Sequence, residues 1–133
     1  MAREKAEALG CRILATIGAQ ASAGIDMKYV LVAPIWAVPK CLAKEGISKE
    51  KVDLYEINEA FSGSTVAVLR QLDLDPSIVN VNGGSVALGH PIGASGCRVL
   101  VTLLHEMIKQ DKKIGLASLC LGGGEAVAMI VKR

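Results

Sequence analysis

Apolar positions along this chain fall into blocks whose period switches repeatedly between that of a helix and that of a strand. A short helical stretch over residues 2 to 9 closes at Gly10, and the small and branched residues from Arg12 to Ala21 predict a strand. Gly24 to Val32 keeps no period and predicts an irregular link. Pro34 or Pro39 opens a helix that stops at Gly46. A proline inside a helix removes an amide donor and collides with the preceding turn, so the regular helix is expected to begin near Pro39. Val52 to Ile57 reads as a short strand. Phe61, Thr65, Val68, Leu69 and Leu72 then share one face of a helix that closes before Pro76, with the opposite face wet.

The segment after Pro91 is different. From Ile92 to Leu104 the only charged residue is Arg98, so a helix there is apolar or small around nearly its whole circumference and needs cover on more than one side. Gly93, Ser95 and Gly96 in its first turns permit another backbone to come close. His105 falls where the helix turns polar and is expected at the surface. Ile114 to Cys120 and Ala126 to Lys132 are joined by a short glycine turn and predict an antiparallel hairpin. Both strands are apolar on both faces, as strands covered on two sides should be. The alternation predicts an α/β fold.

Composition narrows this picture. A chain of 133 residues suits one domain, and 51% hydrophobic with only 3% aromatic residues requires a core of small aliphatic side chains, which fits helices applied tightly to a sheet. The 15 basic and 13 acidic residues form no basic run, which argues against a nucleic acid partner. Arg98, His105 and Glu106 interrupt the longest apolar stretch before it reaches the roughly 18 residues a membrane span needs, so no membrane partner is expected. Met1 is followed at once by Arg3-Glu4-Lys5 without the apolar run of a signal peptide. Cys11, Cys41, Cys97 and Cys120 include no Cys-x-x-Cys pair and no histidine at finger spacing, so no metal site and a reduced, cytoplasmic setting are expected. Cys11, Cys41 and Cys97 read as small buried hydrophobes.

Polar clusters stand where buried strands or tight turns should end: Asn58-Glu59-Ala60-Phe61, Gly89-His90-Pro91 and Cys120-Leu121-Gly122-Gly123-Gly124. Taken alone, a histidine before proline in a glycine-rich loop suits either loop ordering or catalysis. Cys120 differs from the other cysteines because it ends a strand and meets glycines, where backbone approaches closely.

These boxes, in this order, resemble the C-terminal half of the thiolase family, over a stretch from about Ser22 to the last residues; Asn80-Val81-Asn82-Gly83-Gly84 through Gly93-Ala94-Ser95-Gly96 is its most specific part. The resemblance implies an α/β domain over residues 1–133, a mixed sheet with helices on both faces. One helix, Ile92 to Leu104, would join a buried central layer between two similar halves. It implies Claisen condensation of two acetyl-CoA molecules to acetoacetyl-CoA and the reverse thiolysis, with coenzyme A thioesters as substrates and no cofactor. Cys120 matches the acid/base cysteine and His90 the histidine that activates the nucleophile and donates to the thioester oxygen. Asn58 matches the asparagine that holds a water completing that oxyanion hole; Gly122 matches the backbone donor of a second one. Ala60 and Phe61 match positions lining the pantetheine channel, and Phe61 also opens the apolar face of its helix. Glu59 would support the loop.

The family's nucleophilic cysteine belongs to an N-terminal half outside these residues, which makes that half, and a homo-oligomer, the expected partners. Val30-Leu31-Val32-Ala33-Pro34 departs from the family's Met-Gly-x-Gly-Pro segment. Gly93-Ala94-Ser95-Gly96 and Gly122-Gly123-Gly124 look more like acetoacetyl-CoA thiolases than the degradative long-chain type. A C-terminal catalytic domain, a separate subunit of a two-chain enzyme and a non-catalytic acyl-CoA-binding protein all remain open at this point.

Overall fold

In the computed structural model, which describes residues 1–133, strands Thr16–Gly24 (β1), Leu54–Ile57 (β2), Ile114–Leu121 (β3) and Glu125–Lys132 (β4) form one sheet in the order β1-β4-β3-β2. β3 and β4 make the expected hairpin, with Ile114 opposite Lys132 and Leu121 opposite Glu125. Its turn requires glycine at 124: φ is +96°, and a Cβ would lie 2.6 Å from the Ile25 carbonyl oxygen. β1 adds antiparallel to β4, whereas β2 lies parallel to β3, so the sheet is mixed. A parallel pair cannot be joined by a tight turn, and the long crossover from β2 to β3 carries most of the chain's polar motifs.

Helices cover both faces. Arg3–Ala8 (α1) precedes β1; Pro34–Glu45 (α2), Ser62–Leu72 (α3), Ser85–Leu88 (α4) and Ser95–Lys109 (α5) follow. On one face Ala37, Val38, Cys41 and Leu42 of α2 pack on Leu116, Ala126, Ala128 and Ile130. On the other, Val99, Leu103 and Met107 of α5 meet Leu54, Ala117 and Val131. Gly115 faces α5 so closely that a Cβ there would press on Met107 Sδ and stand 3.0 Å from Leu103 Cδ1.

Both outer edges of the sheet are covered by side chains or loop. Along β1, Lys40 Nζ donates to the Ser22 carbonyl at 2.8 Å and Lys44 Nζ to the Gln20 carbonyl at 3.0 Å. Glu45 accepts from the Ala19 amide where the ladder shifts between Ile17 and Gln20, and it also pairs with Lys132. Beyond β2, Val79 bridges to Tyr55 and the Asn80 amide donates to the Tyr55 carbonyl at 2.9 Å.

Several boundaries differ from the sequence expectation. β1 starts at Thr16, not Arg12, because Thr16 already pairs with Lys132 at the end of its partner, and it runs on to Gly24. The following link holds a 3-10 helix, Met27–Val32, whose Asp26 cap accepts from the Lys28 amide at 3.0 Å. α2 begins at Pro34 and keeps Pro39 inside it. Pro34 at the first turn has the φ a helix needs, and burial of the Ala37-Val38-Cys41-Leu42 face outweighs the one hydrogen bond that exposed Pro39 removes. α5 begins at Ser95, not Ile92, which is 86% exposed, and continues past Leu104 to Lys109.

Three burial expectations are also corrected. Cys41 is buried, but Cys11 and Cys97 are exposed. Phe61 is 64% exposed instead of part of the α3 core: its extended backbone at the helix cap sends the ring away before the helical face of Val68 begins. His105 is at the surface as expected. Finally, α5 is not covered all round. Cys97 and Val101 are exposed, and beside Gly96 and Leu100 an apolar groove of about 490 Å³ opens over Leu119, Val127 and Met129.

Candidate active site

β2 and β3 are adjacent and parallel, so their C-terminal ends arrive side by side; in open α/β sheets that is where ligands bind. Asn58 directly follows β2 and its amide still donates to the Ser118 carbonyl of β3, at 2.9 Å. Cys120 lies further along β3 at the same end, half-buried.

The loop after β2 is fastened by Asn80, whose φ of +49° suits an asparagine. Its side chain imitates a strand neighbour, donating to the Ile57 carbonyl at 2.7 Å and accepting from the Ile57 amide at 2.8 Å. Asn80 also donates to Glu59 at 3.1 Å, and the second Glu59 oxygen accepts from the Val86 amide at 3.0 Å. Gly84 is packed so closely on this carboxylate that a Cβ would stand 2.5 Å from its carbon. Glu59 therefore ties the loop to α4, as the sequence suggests.

His90 follows Gly89, which has a φ of +91° at the end of α4, and sits half-buried beside the start of α5. Its Nε2 lies 3.3 Å from Asn58 Nδ2 and its Nδ1 2.6 Å from the Ser95 hydroxyl, which donates to the Pro91 carbonyl at 3.1 Å. Asn58 is itself 5% exposed. Its Oδ1 accepts from the Ser85 hydroxyl at 2.7 Å and from Arg98 Nη2 at 3.3 Å. Arg98 Nη1 in turn donates to Glu56 at 2.6 Å, an ion pair with side chains 18% and 3% exposed.

The structure thus brings Asn58 and His90 into contact. The Cys120 thiol, at the neighbouring strand end, is pushed above its ordinary value by burial, so it carries its proton near neutrality. Gly122 lies in the exposed hairpin turn with open space on its Cβ side. Ala60 is half-buried and Phe61 exposed, both at the mouth of the same loop. No group of three His, Cys, Asp or Glu side chains is placed to hold a metal.

Glu56, Ser85, Ser95 and Arg98 belong to this cluster without appearing in the sequence boxes as site residues. Two of them leave a signal: Glu56 is the only charge in a strand whose four residues are all buried, and Arg98 is the only charge in the apolar start of α5. Lone charges in apolar elements need partners, and these two have each other. Ser85 leaves none, and Ser95 shows only as a member of the Gly93 to Gly96 motif.

Burial pushes the Glu56 carboxyl up to about 7 from 4.5, and Arg98 opposes the rise without cancelling it. Because the folded state holds this proton more tightly than the unfolded chain, the group's contribution to stability is complete below about pH 4.5 and is lost as pH rises through about 7. Measured against Glu56→Gln, the unmodified chain should lose on the order of 3 kcal/mol of unfolding free energy over that window. Denaturant titrations from pH 4.5 to 8 that show a constant difference would refute this.

Residues 11–133 match the family model described as thiolase, C-terminal domain. All 133 residues align with an acetyl-CoA acetyltransferase of Pseudomonas aeruginosa at 56% identity, covering 34% of that protein. They also align at 47% identity with the cytosolic acetyl-CoA acetyltransferase of Mus musculus, again over 34% of its length. The fold superposes on the crystal structure of the Bacillus anthracis acetyl-CoA acetyltransferase with a TM-score of 0.97 at 46% identity, covering 99% of this chain and 34% of that one. A human mitochondrial 3-ketoacyl-CoA thiolase solved in complex with CoA gives 0.95 at 39% identity, covering 98% of this chain and 33% of that one. The chain spans about a third of the length of the curated relatives it matches. The α/β sheet, the order of the boxes and these matches place the chain in the thiolase family, as its C-terminal domain.

Proposed function

We propose that this domain supplies the acid/base half of an acetyl-CoA C-acetyltransferase, with acetyl-CoA and CoA as substrates and no cofactor. The observation that carries the reading is the direct His90–Asn58 contact at the C-terminal ends of parallel β2 and β3, with Cys120 at the same edge. The nucleophilic cysteine comes from an N-terminal half outside these residues. His90 takes the proton of that thiol, and the thiolate accepts an acetyl group from the first acetyl-CoA, releasing CoA. Cys120, having given its proton to the departing CoA thiolate, removes a methyl proton from the second acetyl-CoA. The developing enolate oxygen is held by His90 and by a water on Asn58, an amide that orients water without adding charge. The enolate carbon attacks the acetylated cysteine, the oxyanion rests on the Gly122 amide, and collapse frees acetoacetyl-CoA and the cysteine. Ala60 and Phe61 flank the pantetheine arm.

Burial raises the Cys120 thiol, so the group rests protonated and becomes a base only after passing its proton on within the site. Partners of this domain are the N-terminal half and further copies of the assembled enzyme, and its setting is the cytoplasm. A purely acyl-CoA-binding role would leave the pairing of His90 with Asn58 without use. In the decisive assay, the 133-residue chain alone gives no thiolysis of acetoacetyl-CoA above background, and activity appears on assembly with the N-terminal two thirds of the Pseudomonas aeruginosa relative. Turnover by the chain alone that disappears in Cys120→Ser would overturn the division of labour proposed here.

The uncovered side of α5 is where the N-terminal half packs. Leu100→Glu, which puts a carboxylate into that apolar contact, should weaken assembly by about 10-fold or more. Sedimentation of the chain with its partner half would reveal it, and an unchanged dissociation constant would exclude this face.

A further inference from the structure

A side-chain chain of command runs from β2 to the His90 ring, and its direction can be worked out from which groups can donate. Arg98 is the starting point because a guanidinium has only donors. The Asn58 atom facing Arg98 Nη2 at 3.3 Å must therefore be its oxygen, and the Ser85 hydroxyl at 2.7 Å donates to the same atom. With Oδ1 so held, the Asn58 NH₂ is the group presented to His90 Nε2 at 3.3 Å. An NH₂ can only donate there, so Nε2 must accept and the ring proton of neutral His90 must sit on Nδ1. The other side of the ring is compatible with this: when the fully buried Ser95 gives its single hydroxyl proton to the Pro91 carbonyl at 3.1 Å, its oxygen is left to accept from Nδ1–H at 2.6 Å.

We propose that Arg98, anchored by Glu56, is a positioning residue that fixes the His90 proton on Nδ1 by orienting the Asn58 amide. The consequence is a lone pair on Nε2, the nitrogen that shares the site with Asn58, until the ring takes up the thiol proton. Without the anchor, the Asn58 amide is free to turn over, and its oxygen would then draw the proton to Nε2, removing the basic nitrogen from the site. The proposal rests on the reading of His90 as the base that activates a thiol, but the position of the proton can be measured without that chemistry.

The test uses the 133-residue chain with ¹⁵N-labelled histidine and the surface substitution His105→Gln, which leaves a single ring to observe. At pH 8.5, above the ordinary histidine range, long-range ¹H–¹⁵N spectra distinguish the protonated from the bare nitrogen. The expected result is one tautomer with the proton on Nδ1. Arg98→Met alone strands the Glu56 carboxylate and is liable to unfold the chain, so the informative variant is Glu56→Leu with Arg98→Met, which removes both charges together. It should give averaged shifts from a mixture of tautomers, while Asn58→Asp, which can only accept, should move the proton to Nε2. A proton on Nε2 in the parent chain, or a double variant with an unchanged spectrum, overturns the proposal.

In the assembled enzyme the double variant should lower kcat by about 10- to 100-fold, as loss of an orienting partner commonly does, with KM nearly unchanged. A fall confined to KM counts against the relay. An Nδ1 proton in an assembly that transfers no acetyl group supports the relay and counts against the function proposed above.

Discussion

Cys120→Ser in the assembled enzyme should lower kcat for thiolysis of acetoacetyl-CoA by about 10²- to 10⁴-fold, the usual worth of a positioned general acid or base. The substitution is nearly isosteric, and Cys120 is only half-buried at a strand end, so the hairpin should form unchanged. What is lost is acidity. A serine hydroxyl holds its proton far more tightly than even a thiol whose value burial has raised, so it cannot remove a methyl proton or return one at a useful rate. Acetylation of the partner cysteine needs no base at this position, because CoA can depart as its thiolate, and should continue, visible as a burst of free CoA from acetyl-CoA. A loss smaller than about 10-fold, with the burst intact, would take the acid/base role away from Cys120.

Arg98→Met is the substitution expected to cost the most stability, about 3–5 kcal/mol at pH 8, because removing one partner of a buried pair leaves the other charge unsatisfied. Its Glu56 partner is 2% exposed and has no other cation within contact. The carboxylate can escape by taking up a proton, since burial already pushes it up to about 7. The loss should accordingly shrink at pH 5, where protonation is easy, and Glu56→Leu added to Arg98→Met should recover most of it at pH 8. Chemical unfolding at both pH values measures all three variants. A penalty independent of pH would mean that Arg98 acts through its packing and not through the charge it neutralises.

How much of this was legible in the sequence can be judged element by element. The β3–β4 hairpin and α3 follow from local period and turn residues, and local signals are what a single sequence carries. The start of α2 was misplaced because Pro39 obeys a local rule that tertiary burial of Cys41 and Leu42 overrides. The extent of β1 depends on where β4 can pair with it, a non-local fact. At the site, His90, Asn58 and Cys120 stand in motifs that could be recognised, and the structure adds the contact between the first two. The roles of Ser85 and Ser95 were not legible, although Ser95 stands in a recognisable motif, since a serine at a helix start is ordinary until its hydroxyl is seen beside Asn58 or His90. Phe61 was placed by helical period, but at the cap the backbone is extended and the period does not yet apply.

The lysine and asparagine covers on the two outermost strands bear on how this domain can be joined to anything else. An exposed strand edge offers rows of unpaired amides and carbonyls that template ribbon growth between molecules. Here Lys40, Lys44 and Glu45 occupy those groups along β1, and Asn80 does the same beside β2. Strand-to-strand fusion is therefore blocked at both ends of the sheet, which steers a sticky aliphatic domain away from fibrillar aggregation. Neutralising Lys40 and Lys44 would reopen one side while leaving Asn58, His90 and Cys120 in place.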